Sequence, residues 1–229
     1  MRKAFFLFLL VVLCAPAAMA QAATQTGPEV FVGYSNLQAE GVPSQEFNQN
    51  NSFDDRVFGE RAGLHGVNAE VTQYITPRFG LTGDFSWNQR SRDVAFTNGT
   101  GNIDTRVINV MGGPQVRFPN QTRVVPFVRA LFGVANTRFE AQEKIAVAGG
   151  NVSNSFNTNA TDFAMALGGG LDVRLNDRVG LRVLQVDYNP VFLRDRSVNV
   201  LGAAGALTPQ TIESNRQDNI RLSFGVTFR

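Results

Sequence analysis

The stretch that closes the chain, Asn219-Ile220-Arg221-Leu222-Ser223-Phe224-Gly225-Val226-Thr227-Phe228-Arg229, decides the fold. From Ile220 to Phe228 every even-numbered residue is apolar, and every odd-numbered residue is polar or glycine. A period of two residues is typical of a β-strand with one apolar and one polar face. The same alternation recurs along the chain, so the sequence predicts an all-β protein.

The alternating segments define eight predicted strands, at about 29–37, 64–74, 79–88, 106–118, 124–136, 162–175, 179–188 and 220–228. Short turns at 76–78, 119–122 and 176–178 alternate with long polar connections at 38–61, 89–105, 137–161 and 189–217. Short turns at one end and long loops at the other are typical of outer-membrane barrels. We therefore expect an eight-stranded antiparallel up-and-down transmembrane β-barrel.

Two strands contain irregularities. Val183 and Leu184 are consecutive apolar residues in the seventh strand, and this change of phase predicts a β-bulge. In the fourth strand, Pro114 follows Gly112-Gly113. Because proline cannot donate to the hydrogen-bond ladder, we expect a bulge or a local break there.

The first twenty residues are predicted to be a secretory signal peptide. Arg2 and Lys3 precede an apolar run from Phe5 to Leu13, and Ala18-Met19-Ala20 matches a cleavage site. We expect residues 1–20 to be the signal, 21–28 a short N-terminal extension and 29–229 the barrel. Export followed by insertion into the outer membrane of a Gram-negative bacterium is the predicted localisation.

Charge and cysteine content limit the function classes. Cys14 is the only cysteine, and it leaves with the signal. Leu13 before it disfavours lipid attachment, because a small residue normally precedes a lipidated cysteine. The formal charge of +2 belongs to Arg2 and Lys3, so the mature chain is neutral. Without a basic stripe interleaved with aromatic residues, no nucleic-acid partner is expected.

Charged residues fall on the predicted inward face of the barrel. Isolated buried charges are costly, so these residues must pair with one another. The set could form an ion-selective or gated constriction, or a structural salt-bridge plug that blocks the lumen; the sequence favours the plug without excluding a narrow path. The predicted lumen charge network is Glu70, Asp84, Arg117, Arg129, Asp172, Arg174, Arg182, Asp187 and Arg221.

Outward-facing aromatic residues are predicted near both ends of the strands. Aromatic rings collect at the two membrane–water interfaces of outer-membrane barrels. Ordinary strand aromatics are the alternative interpretation. The predicted interface aromatics are Phe79, Phe118 and Phe228 at the periplasmic end, and Tyr34, Trp87, Phe163 and Tyr188 at the outer end.

The sequence does not favour an enzyme. His65 is the only histidine, and its outward phase suits an interfacial residue better than a catalytic base. Asp54-Asp55 lie in a predicted loop, as solvated charge or a weak cation site. Gly168-Gly169-Gly170 lie inside a strand, where close packing or a kink explains them better than phosphate binding. We expect no catalytic residues, no metal site and no cofactor.

These features together resemble the OmpA-like family of small outer-membrane β-barrels, also described as porin-family barrels. The resemblance covers residues 29–229 and includes the segments 29–35, Gly83-Asp84-Phe85-Ser86, Gly112-Gly113-Pro114-Gln115, 168–187 and the terminal strand. Family members usually end on an aromatic residue read by the barrel-assembly machinery, whereas Phe228 is followed here by Arg229. Larger relatives carry a peptidoglycan-binding domain, and wall anchoring through such a domain is not expected here.

The sequence leaves several functions open. The first is an outer-membrane barrel with a structural or narrow porin-like role, and the alternative is a surface adhesion or ligand-binding barrel acting through its loops. A barrel enzyme acting on envelope lipids through His65 is less favoured, and a soluble periplasmic barrel is the rival fold. Expected partners are outer-membrane lipid and lipopolysaccharide, the barrel-assembly machinery, and small solutes or surface ligands. The protein is expected to be a monomer.

Overall fold

The computed structural model describes residues 26–40, 61–96, 99–119, 122–147, 150–194, 196–201, 207–212 and 216–229. The predicted signal peptide, its cleavage site, and Asp54-Asp55 lie outside the described residues. None of the described segments forms a helix that is long and apolar enough to cross a membrane.

Ten strands make up the described structure, and eight of them close a barrel in the order β1-β10-β7-β6-β5-β4-β3-β2. Every neighbouring pair in the barrel is antiparallel, so the predicted fold class is confirmed. The remaining pair, β8 and β9, forms a separate hairpin. The strands are β1 (Pro28–Ala39), β2 (Ala62–Tyr74), β3 (Phe79–Phe96), β4 (Gly99–Arg117), β5 (Val124–Val147), β6 (Gly150–Arg174), β7 (Val179–Phe192), β8 (Arg196–Leu201), β9 (Leu207–Ile212) and β10 (Arg216–Phe228).

The predicted long connections 89–105 and 137–161 are wrong in their extent. Strands β3 and β4 remain paired up to Phe96↔Gly99, and β5 and β6 up to Val147↔Gly150. Beyond a membrane the outward face of a strand meets water, so its outward residues become polar while the backbone pairing continues. The connection 189–217 is also shorter than predicted, because β7 runs to Phe192 and the β8–β9 hairpin follows.

The predicted bulge in β7 is present. On the β6 side Leu171 pairs with Leu184 while Asp172 pairs with Arg182, so β6 skips Val183. The pairing with β10 shifts at the same place, between Ser223 and Gly225. At Pro114 the structure has a local break: pairing with β5 lapses between Gly112↔Phe132 and Gln115↔Arg129, and the register on either side is unchanged.

The barrel has an inverted distribution of polarity. Large apolar side chains such as Val67, Val110 and Phe224 lie outside with exposed fractions of 50%, 53% and 55%. The inward positions hold buried polar and charged residues together with two apolar clusters. One cluster contains Leu37, Ala39, Ala62, Leu64 and Val107, and the other contains Met111, Leu131, Ala135, Ala164, Ala166 and Val191. A continuous exposed apolar surface of this kind requires a membrane.

Candidate functional site

Three arginines on different strands meet inside the barrel. Arg129 on β5, Arg182 on β7 and Arg221 on β10 are each buried, with exposed fractions of 4%, 1% and 0%. Each occupies an inward position of its alternating strand. The bulge at Val183 keeps Arg182, Gln185 and Asp187 on the same inward face of β7.

Arg129 and Arg221 share the carboxylate of Asp187. Arg129 donates to the two oxygens of Asp187 over 2.9 and 2.6 Å, and its Nη1 lies 2.6 Å from Glu70 Oε1. Arg221 donates to both oxygens of Asp84 over 2.8 and 2.9 Å and to Asp187 over 3.2 and 3.1 Å. Such two-pronged contacts are the geometry in which guanidinium and carboxylate groups bind most specifically.

Arg182 extends the network towards the short turns. It donates to Asp172 over 2.8 and 3.2 Å and to Glu70 over 2.6 Å. Its guanidinium lies 4.4 Å from the ring centroid of Phe31 and 4.3 Å from that of Phe127. Cation–π contacts of this type gain strength when the cation is desolvated, so the two rings hold Arg182 across the lumen.

Gln185 connects the two halves of the network. Its amide nitrogen donates to Glu70 Oε1 over 3.0 Å and to Asp187 Oδ2 over 2.9 Å, and its carbonyl oxygen accepts from Arg182 over 2.7 Å. Asn68 adds a further donor to Asp84, over 3.0 Å. The amides add further donors to carboxylate oxygens that the arginines already contact. Hydrogen bonds of this kind lower the cost of burying charge.

Two of the predicted network residues lie at the short-turn end instead. Arg117 donates to the Pro77 carbonyl over 2.8 Å, and its guanidinium lies 3.7 Å from the Tyr74 ring centroid. Arg174 donates to the Thr122 carbonyl over 3.0 Å. The structure thus brings together Glu70, Asp84, Arg129, Asp172, Arg182, Asp187 and Arg221, and places Arg117 and Arg174 at the rim.

Glu29 is buried at the short-turn end of the barrel, and it is absent from the lumen charges predicted from the sequence. It accepts from Arg229 over 2.5 Å and lies 3.8 Å from Arg182 and 3.9 Å from Arg117. The signal was available, because Gly33 and Ser35 face inward and a period of two then places Phe31 and Glu29 inward as well. Both are buried.

The glycine stretch in β6 makes room for the network. A Cβ added at Gly168 would lie 2.4 Å from Asp187 Oδ1, and one added at Gly170 would lie 2.9 Å from the Phe127 ring. Both distances are shorter than side-chain contacts allow. Close packing, one of the two interpretations offered for this stretch, is what the structure shows.

The predicted interface aromatics face outward. Phe79, Phe118 and Phe228 lie beside the short turns with exposed fractions of 39%, 48% and 43%. Tyr34, Phe163 and Tyr188 are exposed further along their strands, and Trp87 is half-buried. His65 is exposed beside Tyr34, and its Nδ1 contacts the Tyr34 hydroxyl and lies 3.2 Å from Asn36 Nδ2.

An antiparallel barrel with an apolar exterior, a charged interior and short turns at one end defines an outer-membrane β-barrel protein. The family model described as outer membrane protein beta-barrel domain matches residues 6–228. The chain therefore belongs to this family. The resemblance drawn from the sequence is confirmed at that level.

Solved outer-membrane proteins are similar to most of the chain. Ail, the attachment invasion locus protein of Yersinia pestis, solved with the heparin analogue sucrose octasulfate, is 15% identical; the similarity covers 89% of this chain and 99% of that one, with a TM-score of 0.45. OprG from Pseudomonas aeruginosa is 13% identical over 89% and 96%, with a TM-score of 0.49. Neisserial surface protein A is 10% identical over 91% and 99%, with a TM-score of 0.43. No curated protein sequence matches the chain.

Proposed function

We propose that this protein is a structural outer-membrane barrel whose lumen is plugged by the arginine–carboxylate network. One observation carries the proposal: Arg129, Arg182 and Arg221 have side chains that are 0–1% exposed, and each contacts carboxylates from other strands. An eight-stranded barrel has an interior just wide enough for side chains to fill. Because these arginines and carboxylates pair with one another and fill the interior, they leave no hydrated path for a solute.

The two apolar clusters also fill the lumen, beyond the arginine–carboxylate network. In the cluster that contains Leu131 and Met111, Leu131 follows Arg129 on the inward face of β5, away from the short turns, and Met111 lies opposite Asp84. The cluster around Leu37 and Leu64 lies further in the same direction on β1 and β2. An ion that crossed the lumen would have to pass the ionic network and then the buried side chains packed beyond it.

Single-channel conductance of the refolded protein in a planar bilayer tests the plug. We expect a silent bilayer with the wild-type protein. Opening a path requires separating buried ion pairs, and a buried charge left without its partner costs about 3–5 kcal/mol. Insertion is verified separately by electrophoresis of protein recovered from the same vesicles. A folded barrel resists SDS until it is boiled and then changes its mobility, and this change is called the heat-dependent mobility. Discrete steps that change on Arg129→Gln or Asp172→Asn would overturn the plug and support a narrow pore with these charges at its constriction.

A second candidate function is surface binding through the strands and loops on the extracellular side. Strands β5 and β6 have 24 and 25 residues, whereas a membrane-spanning strand needs about 9–11. On β6 the outward residues change from Phe163 to Thr161, Asn159 and Asn157. We infer that the β3–β4 and β5–β6 hairpins stand clear of the bilayer as a polar platform.

Shortening the β5–β6 hairpin tests the second candidate. Removing residues 142–155 and joining the strands with a two-residue turn should abolish attachment of protein-bearing cells to host matrix, with the heat-dependent mobility unchanged. Removing residues 94–101 from the β3–β4 hairpin tests the other half of the platform in the same way. Unchanged attachment with both deletions would exclude the two hairpins as the binding surface.

A further inference from the structure

A row of polar side chains crosses the outer wall of the barrel. The strand register places Gln89 opposite Arg106, Arg106 opposite Arg138, and Arg138 opposite Asn159. All four occupy outward positions, and Gln89, Arg106 and Asn159 are exposed. We call these four residues the outer arginine row.

On β3 and β4 the outer arginine row lies at the upper edge of the apolar belt, the band of outward apolar side chains around the barrel. On β5 and β6 the polar pair Asn136↔Thr161 lies between the belt and the row. On β3 and β4 the next outward pair towards the short turns is Trp87↔Ile108, and Val110 below it is 53% exposed. Neighbouring outward positions are separated by about 7 Å along a strand. The arginine side chains therefore reach the level where hydrocarbon gives way to lipid headgroups, with stems long enough to cover the apolar edge.

The charges on this wall are ordered along the strands. Arg106 and Arg138 face each other directly, and like charges in opposed positions destabilise a sheet. Asp104 and Glu140 form the next opposed pair, one outward step further from the belt. On β4 the outward residues Ile108, Arg106 and Asp104 are therefore apolar, cationic and then anionic. On β5 Asn136 lies between the last apolar outward residue and Arg138.

The two arginines are only partly neutralised by the protein. Arg138 Nη2 contacts Glu140, and the Arg138 side chain is 43% exposed. Among the described side chains, none forms an ion pair with Arg106. A shallow pocket lies here, and its lining includes Gln89, Arg106 and Arg138 together with the two acidic residues Asp104 and Glu140. An anion placed in it would relieve the repulsion between the guanidinium groups.

We propose that Arg106 and Arg138 form a binding site for the phosphate group of a phosphorylated glycolipid in the outer leaflet. The two planar guanidinium forks match phosphate oxygens, and the Gln89 amide adds a donor. Phosphate is the anion that a membrane supplies at this depth. A lipid that carries it also contacts the apolar belt through its acyl chains, whereas a soluble anion gains nothing from that surface. The inference depends on the barrel lying in the outer membrane and is independent of whether the lumen is closed.

Lipid titration of the refolded protein in detergent micelles tests the site. The probes are a phosphorylated glucosamine lipid, the same lipid after enzymatic removal of its phosphates, and inorganic phosphate, with bound lipid counted by native mass spectrometry. We expect the wild-type protein to bind the phosphorylated lipid roughly tenfold or more tightly than the dephosphorylated lipid, the scale of one charge-assisted hydrogen bond. Inorganic phosphate at millimolar concentration should displace little of it.

The variant Arg106→Gln/Arg138→Gln should lose this preference. Its matched control is Arg78→Gln/Arg178→Gln, which removes the same charge from exposed residues of the short turns. Heat-dependent mobility verifies that both variants fold. Equal binding of the two lipids by wild-type protein, or an unchanged preference in the first variant, would overturn the site. Complete displacement by inorganic phosphate would overturn the lipid as its ligand.

The Glu140→Gln variant provides a test in the opposite direction. Removing the carboxylate that contacts Arg138 frees that guanidinium, so binding of the phosphorylated lipid should tighten by a few-fold, in line with the small energies of exposed ion pairs. Weaker binding in this variant would mean that Glu140 itself takes part in lipid contact, contrary to the proposal.

Discussion

The inward arginines are the residues on which the barrel interior depends most. Asp84 and Asp187 each accept from Arg221, and Asp187 also accepts from Arg129. A buried ion pair need not be more stable than a well-packed apolar substitute, but removing one partner leaves the other charged and unpaired. The network is therefore sensitive to single changes and more tolerant of paired ones.

Arg221→Ala should lower the free energy of unfolding by about 3–5 kcal/mol, because it leaves Asp84 and Asp187 short of a buried partner. The double variant Arg221→Met/Asp84→Asn should lose clearly less, since it removes opposite charges together. Urea unfolding in lipid vesicles measures both. Arg123→Ala, at an exposed position beside a short turn, is the control, with an expected change within about 0.5 kcal/mol. Equal losses in the single and double variants would show that charge pairing is not the cause.

The alternation along each strand predicts which side chains face inward, because a period of two leaves only two directions for each side chain. The alternation does not predict which of the inward charged side chains contact one another. Arg182 and Glu70 lie 112 residues apart in sequence, and their contact depends on the stagger of strands around the barrel. For the same reason the sequence did not separate Arg117 and Arg174, at the rim, from the central network.

The β-bulge in β7 keeps the polar side chains of this strand on its inward face. Val183 and Leu184 are both exposed, at 51% and 47%. Two consecutive residues of β7 therefore face outward where each neighbouring strand has one. The sequence predicted this bulge because the phase change falls within the apolar belt. It did not predict the length of β5 and β6, because beyond the belt their outward residues, such as Arg138 and Asn159, are polar and the apolar outward phase ends.

Deleting Val183 should leave the barrel able to fold. Arg182 and Leu184 already pair with adjacent residues of β6, so the deletion restores regular alternation and keeps Gln185 and Asp187 inward. Deleting Val186, also outward and exposed, should prevent folding, because it turns Asp187 towards lipid. Refolding yield in detergent micelles, read from the heat-dependent mobility shift, compares the two. A loss of yield with the Val183 deletion equal to that with the Val186 deletion would contradict this account.

The whole molecule is stabilised by a closed ring of backbone hydrogen bonds. Closure leaves no barrel strand with an unpaired edge across the membrane, where an unsatisfied backbone group costs several kcal/mol. Pairing between β1 and β10 completes the ring over the register Val30↔Phe228 to Gln38↔Ile220. Gly33 and Gly225 face each other in this seam, and a Cβ on Gly225 would lie 2.4 Å from Gly33 Cα.

The intact barrel should resist SDS until it is boiled and then change its electrophoretic mobility. Gly225→Val should abolish this resistance, because the added side chain separates the backbones at the seam. Gly83→Val is the matched control, since a Cβ there meets nothing within 4 Å and faces outward. Semi-native electrophoresis with and without boiling gives the comparison. An unshifted wild-type band, or equal resistance in both variants, would argue against a seam that closes the barrel.

The contact between Glu29 and Arg229 joins residues 200 positions apart, at the two ends of the closed wall. Chain-closure entropy grows with such separation, and long-range pairings are the slow steps of folding. We therefore expect the seam to form last, after the other strands have paired with their neighbours. Until then β1 and β10 both present open edges, and an open edge is where aggregation begins. The time between the emergence of β1 and the arrival of β10 is thus the interval in which this chain most needs a chaperone.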